Sequence, residues 1–513
     1  MFKKLIFVAL FPCILFAQDK NNEAIRFAGY ITAEGMSKNL HILTSDEYEG
    51  RETGKKGQRM AAAFISEKFK EAGIPPYVTD TYYQEFPINV IKPMPAEVKL
   101  NDKSYEGNKD YYSYPGQSEQ RIDVSKVQFL GYGIDDKNYN DYTGVTVKDK
   151  VVMILSDEPC TKDSVSLVTG TKMPSAWTTN YRLKLERAKE KGARALLVVV
   201  DDVAKDVQTN KHRLETESMK LEVDNTEMPI LYISREMANV ILKNQKAESI
   251  EQKIASSHKP INKLEKAKLV IDIKNRVEKI NSENVLAFIE GSDRKDEVVV
   301  ITAHYDHLGK NGTKIFSGAD DDGSGTVAVI ELAKAFAQAK QQGHGPRRSI
   351  LLMTVAGEEK GLLGSSYYVQ HPVYALKNTV CDLNMDMIGR QDEKHKDNPD
   401  YIYLIGSDKL SSQLHAISEK SNKLYENLDL DYTYNDVNDK NRFYYRSDHY
   451  NFAKNGIPVI FYFNGVHADY HKDTDKVEKI NFNKMEKIAR LVFYTAWEVA
   501  NRNDRIAVDS DKN

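Results

Sequence analysis

"EVVVITAHYDH", residues 297–307, is the stretch whose reading decides the fold. Val298 to Ala303 form a short apolar run rich in β-branched residues, the signature of a buried strand. The run stops abruptly at His304, Tyr305, Asp306 and His307. Downstream, "TVAVIELAKAFAQA" (326–339) spaces Val327, Ile330, Leu332, Ala335 and Phe336 as a helix would. Strand, polar loop and helix in that order announce an α/β unit.

The pattern then repeats. "RSILLMTVAGEE" (348–359), "VCDLNMDMIG" (380–389) and "IPVIFYFNG" (457–465) read as further strands. "NKMEKIARLVFYTAWEVAN" (483–501) reads as an amphipathic helix whose Ile488, Val492 and Trp497 pack on the sheet. Strands alternating with helices predict a sheet covered on both faces. In such sheets ligands gather just beyond the carboxyl ends of strands. Metal-ligand residue types fall there repeatedly: His304 and Asp306, Glu358 and Glu359, Asp386, and His471 after the last strand.

The chain has 513 residues, which favours more than one domain. Hydrophobic residues make up 41% and charged residues 29%, a globular composition. With 72 basic against 75 acidic residues, nothing suggests nucleic-acid binding. "MFKKLIFVALFPCILFAQ" (1–18) has two lysines followed by an apolar run, so it reads as a signal peptide. That run is shorter than a membrane span, and no later stretch is apolar enough to be one. The expected location is outside the cytoplasm, periplasmic or extracellular, without a lipid anchor. Cys160 and Cys381 are too few for a disulfide scaffold.

Residues 19–104 and 263–513 are assigned to one domain. Helices are expected within 30–74, where Ile65, Phe69 and Ala72 share a face. Residues 105–262 change character, with short strands in "KVQFLGYG", "DKVVMILSDEP", "ARALLVVVDD" and "MPILYIS", and a helix in "YRLKLERAKEKG". The lysine-rich stretch from 245 to 268 reads as a solvated connection.

"GADDDGSG" (318–325) sets three carboxylates side by side, an arrangement that calls for a cation. Asp320, Asp322, Ser324, Gly325 and Glu331 match the spacing of an EF-hand calcium loop. That loop needs a helix before it, and a strand precedes this one; Glu331 falls on the surface of the following helix. A pair of zinc ions accounts for more residues, since one carboxylate can bridge two ions that imidazoles and carboxylates complete. Asp306 could accept the second ring N–H of His304. Of the neighbours Glu358 and Glu359, one could hold metal while the other takes a proton from water.

"AHYDH", "GADDDGSG", "GEEKGLLGS", "NMDMIG", "RSDHYNFAKNGIP" and "DYHKDTD" resemble, in order, the motifs of the co-catalytic dizinc aminopeptidase family that also contains glutamate carboxypeptidases (clan MH). "HILTSDEYEGRETGKKGQRMAAAFI" and the loop "ENVLAFIEG" resemble its bacterial members, and residues 105–262 resemble an inserted protease-associated domain. The resemblance implies a mixed zinc-exopeptidase sheet of phosphorylase/hydrolase type flanked by helices, with a smaller α/β insertion. It implies two Zn2+ per chain, with other divalent transition metals as substitutes. His304 and Asp386 would hold one ion, Glu359 and His471 the other, and Asp321 would bridge them. Glu358 would be the general base. Asp306 and Asp475 would support the ligands, and Tyr470 and Arg446 would face substrate. A cis bond is expected between Asp321 and Asp322. Lys472 stands where many members have threonine.

The expected activity is release of N-terminal residues from peptides or proteins. Alternatives are a carboxypeptidase of the same family, a glutaminyl-cyclase-like acyltransferase with one zinc, and a non-catalytic receptor-like module. His307, His467 and Asp469 read as structural neighbours of the ligands, and "RSDH" as part of the site wall.

Overall fold

The computed structural model describes residues 20–510 apart from 78–79, 181, 223–226 and 244. The signal peptide expected at 1–18 lies outside the described residues. Two units emerge. One holds the described residues up to Phe86 together with Asn281–Asn513; the other is Pro87–Ile280.

In the first unit the sheet runs Asp429–Asp431, Tyr401–Ile405, Val459–Phe463, Thr379–Met385, Arg294–His304, Arg348–Val355, Arg276–Ile289 and Tyr83–Lys92. Arg294–His304 is parallel to both neighbours, with His304 opposite Val355 and Thr302 opposite Asn384. Met385 lies opposite Tyr462 in the next parallel pair. The carboxyl ends of these strands therefore finish at one level, and the loops carrying His304, Glu358–Glu359 and Asp386 emerge together. "ENVLAFIEG" is not a loop. Residues 285–289 pair antiparallel with Ile350–Thr354, as six consecutive buried residues from Asn284 to Ile289 require.

Gly325–Gln341 forms the helix after the acidic turn, and it is buried on nearly every side. It contacts the sheet as well as the helices Ala33–Leu43 and Phe482–Asn501. Ile488, Val492 and Trp497 are buried as expected, and Phe336 meets Phe493 at 4.6 Å between ring centres. Each such side chain contributes ~1.5–3 kcal/mol by leaving water. Glu331 is not on the surface. It is buried against Thr32, whose amide and hydroxyl both lie 3.3 Å from Oε2, so the calcium-loop reading loses its last ligand.

In the second unit the sheet order is Lys103–Tyr105, Glu97–Leu100, Asn262–Ile273, Gln120–Leu130, Val151–Leu155, Ala195–Val200, Ile230–Ser234 and Tyr111–Tyr112. The four strands expected from the sequence are all there, as is the helix, at Arg182–Glu190. The segment 245–268 is not a linker. Ala247–Ser257 is a helix that buries Ala247, Ile250 and Ile254, and Asn262–Ile273 pairs along the whole of Gln120–Leu130. Lys263, Lys266 and Lys268 occupy the solvent side of this strand. Because Glu97–Leu100 and Asn262–Ile273 belong to this sheet, the unit begins at Pro87 and ends at Ile280, wider than 105–262. Cys160 and Cys381 are free thiols. No helix among the described residues is long and apolar enough to cross a membrane.

Candidate metal centre

The acidic turn sits between the strand ending at His304 and the helix Gly325–Gln341. Gly318 opens it with a positive φ of 52°, and the Asp321–Asp322 peptide is cis. A Cβ on Gly325 would lie 2.5 Å from Asp322 Oδ2 and 2.7 Å from Met385 O, so that glycine lets the helix start against the neighbouring strand. Asp322 is consumed by the backbone. Its Oδ1 accepts from Gly325 N (2.8 Å) and Met387 N (3.1 Å), and its Oδ2 accepts from His304 N (3.2 Å).

Asp321 instead faces outward in two directions. Its Oδ1 lies 3.3 Å from His304 Nε2, and its Oδ2 lies 3.1 Å from His471 Nε2. Around His304 Nε2, Asp386 Oδ1 approaches to 3.6 Å and Glu358 Oε2 to 3.9 Å. Around His471 Nε2, Glu359 Oε2 lies at 3.2 Å. Groups able to hold an ion, with ligand atoms within 4.8 Å of one another, form on both sides: His304, Asp322 and Asp386 on one, His307, Asp321 and Glu359 on the other. Asp321 thus stands between two clusters.

The buried atoms His304 Nε2, Asp321 Oδ2 and Asp386 Oδ1 have no hydrogen-bond partner, although charged neighbours are close. Lone pairs that converge without aligning for hydrogen bonds suit a cation at their common centre. The imidazole and carboxylate donors are those zinc takes, so the residues fit the metal that the motifs imply.

The charge pattern agrees. Burial alone would lower the pKa of His304, but Glu358, Asp386 and Asp321 raise it well above the usual imidazole range. His471 is likewise opposed by burial, yet Asp321 and Glu359 carry it up to about 10. Burial and the charge of Asp321 work against ionisation of Glu359, but His307 and His471 bring it down to about 2. Glu358 stays well above the ordinary carboxylate range through burial and the adjacent Glu359 and Asp386. Two neighbouring glutamates are thereby pushed apart, Glu359 toward its ionised form and Glu358 toward its protonated one.

The supporting residues depart in part from expectation. His304 Nδ1 hydrogen-bonds at 3.1 Å with the main-chain carbonyl of Asp306, whose carboxylate stands farther off at 3.8 Å. That carboxylate accepts from Thr53 Oγ1 (2.7 Å) and Glu358 N (3.2 Å), so it positions the loop of Glu358. Asp475 accepts from the amides of Asp320 (3.0 Å) and Asp321 (3.2 Å), fixing the turn. Ser447 Oγ donates to Asp386 Oδ2 at 2.7 Å and receives Asn384 Nδ2 at 2.9 Å. His307, read from sequence as structural, comes within 2.7 Å of Glu359 Oε1. His467 and Asp320 pair at 3.2 Å.

A cleft beside the clusters is lined by Asp321, Glu358, Asp386 and His471, with an apolar wall of Met387, Phe443, Phe461, Phe463 and Val466. Tyr470 stacks on His471 at 3.8 Å, and its hydroxyl lies 3.3 Å from Arg446 Nη2. Both expected substrate contacts therefore line this cleft.

A mixed α/β sheet gathers imidazoles and carboxylates here at the ends of its parallel strands, where such sheets hold ligands. Residues 284–496 match the model of peptidase family M28. A "probable zinc metalloprotease" of Pyrenophora teres f. teres is 30% identical over 256 residues, 42% of this chain and 51% of the relative. Aminopeptidase YwaD of Bacillus subtilis is 24% identical over 333 residues, 63% of this chain and 61% of the relative. The chain spans about half the length of the first of these relatives. Among solved structures, the aminopeptidase from Aneurinibacillus sp. strain AM-1 shares the fold, with a TM-score of 0.53 at 16% identity over 96% of this chain and 100% of that one.

Proposed function

We propose that the chain is an exported zinc exopeptidase that acts as an aminopeptidase and holds two zinc ions. The observation that carries this reading is Asp321, whose two oxygens face different imidazoles at 3.3 and 3.1 Å. His304, Asp386 and Asp321 would hold one ion; Asp321, Glu359 and His471 would hold the other. Zinc supplies a Lewis acid for the scissile carbonyl and lowers the pKa of water.

The remaining work falls to side chains. Glu358 takes the proton of the attacking water and returns it to the departing amine. The Asp306 carboxylate, bonded to Glu358 N, keeps the base in place. Tyr470, braced by Arg446, presents its hydroxyl to the oxygen that gains charge. The apolar wall of Phe443, Phe461 and Phe463 receives a substrate side chain and excludes water. The names of the relatives favour aminopeptidase action. Arg446 favours carboxypeptidase action as a second reading, because among the described residues its guanidinium has Tyr470 and the Phe443 ring as partners and no carboxylate.

The test is hydrolysis of peptides blocked at either end, with metal counted per chain. Cleavage that needs a free amine, with two zinc ions bound, is the expected outcome. Cleavage that needs a free carboxylate selects the second reading. An inert protein after zinc loading refutes both. Glu358→Gln should keep its zinc and lose about 10²–10⁴-fold in kcat.

A further inference from the structure

The unit Pro87–Ile280 contains a cavity of its own, about 270 Å³ in volume. It lies at the carboxyl ends of the parallel strands Val151–Leu155 and Ala195–Val200, where open α/β sheets hold ligands. Its floor is aliphatic: Ile154, Val198 and Val200 are all buried. One wall is aromatic. Tyr112 and Tyr232 stack at 4.7 Å with planes 7° apart, and Tyr114 meets them edge-on at 5.9 and 5.8 Å.

Three charged groups line the cavity, and two are already engaged. Lys184 Nζ donates to Leu155 O at 3.3 Å and to the carbonyls of Ser156 and Asp157. Asp206 accepts from the Tyr112 hydroxyl at 3.4 Å. Arg213 sits 4.5 Å over the Tyr114 ring, and among the described residues that ring is its partner. The ring leaves the guanidinium edge, with its forked N–H donors, directed to nothing anionic. Two cations against one carboxylate favour an anionic guest, and a planar fork matches a carboxylate in two hydrogen bonds. Aliphatic floor and tyrosine wall favour an apolar body beside it.

We propose that this cavity binds a carboxylate attached to an aromatic or branched apolar body, with Arg213 holding the carboxylate. That chemistry belongs to an apolar residue at the C-terminus of a polypeptide and to a free apolar amino acid. The site is separate from the peptidase reading and stands without it.

Calorimetry on the full chain tests the site with N-acetyl-L-phenylalanine, its amide, and N-acetyl-Ala-Ala-Phe. All three are blocked at the amine, so none offers the group that an aminopeptidase centre would hold. The acid should bind at least tenfold more tightly than the amide. Arg213→Gln should weaken the acid at least tenfold and leave the amide and the hydrolysis of small substrates unchanged. Val200→Phe, which fills the floor, should abolish binding of both. A tripeptide that binds more tightly than the single residue assigns the site to chain ends; one that binds equally or less assigns it to the free amino acid. Equal binding of acid and amide, unchanged binding in Arg213→Gln, or no saturable binding overturns the proposal.

Discussion

Nη2 of Arg51 donates to the carbonyl oxygen of Gly318, the first residue of the acidic turn, at 2.9 Å. The same guanidinium donates to Tyr305 O (2.7 Å), Ser317 O (2.6 Å) and Leu43 O (3.2 Å). It is wholly buried, and among the described residues no carboxylate pairs with it directly. One cation thus ties together the strand end after His304, the turn that carries Asp321 and a helix end. Arg51→Met should cost about 3–5 kcal/mol, because four carbonyls lose their donor. Melting temperature and zinc retained after dialysis should both fall, and Arg51→Lys should recover part of each. Unchanged zinc retention would show that the turn is held by other means.

Asp321 and His471 separate the two clusters. Asp321→Asn removes the charge shared by both and should lower zinc content on both sides. His471→Ala touches one side alone, since its Nε2 meets Asp321 and Glu359 but not Asp386. Metal analysis should therefore give less zinc in Asp321→Asn than in His471→Ala. The reverse order would contradict the bridging role.

Ser447 orients Asp386 from behind. Ser447→Ala removes a 2.7 Å hydrogen bond to Asp386 Oδ2 and leaves the sheet intact. Loss of such a support typically weakens metal binding about 10–100-fold. Competition with a chelator measures this, and the melting point should move far less than in Arg51→Met.

Asp141, in the second unit, gives a pH signature. Burial raises its carboxyl to about 7, against amides of Tyr132 and Ile134 that favour the charged form. The folded chain therefore keeps this proton between about pH 4 and 7, where the unfolded chain has lost it. Folding binds the extra proton, so this group's contribution to stability falls as pH rises through that window. Asp141→Asn should remove the slope. Its melting temperature relative to the unsubstituted protein should rise by about 5 °C from pH 5 to pH 8. A constant difference would show that Asp141 titrates normally.

Much of the centre is legible because several of its acids and imidazoles follow apolar strands directly. His304, Glu358, Glu359 and Asp386 are each announced by a run of buried residues. The supports were harder to see. Ser447, Thr53 and Arg51 reach the site from remote segments, and their partners are fixed by packing, not by spacing. For His304 the acceptor is a main-chain carbonyl, which no residue type can reveal. The stretch 245–268 reads as a linker because Lys263, Lys266 and Lys268 lie on the outer face of a strand whose inner face carries Ala267, Leu269 and Ile271, while Lys246, Lys253 and Lys259 precede it. Lysine density reported the solvent side and hid the pairing with Gln120–Leu130.

The ligand loops leave parallel strands whose ends are brought level by pairing across distant parts of the chain. A nascent or half-folded polypeptide holds these acids and imidazoles scattered along its length, with no point at which a cation meets them together. Capture of metal at these clusters would thereby be a late event that certifies a completed sheet.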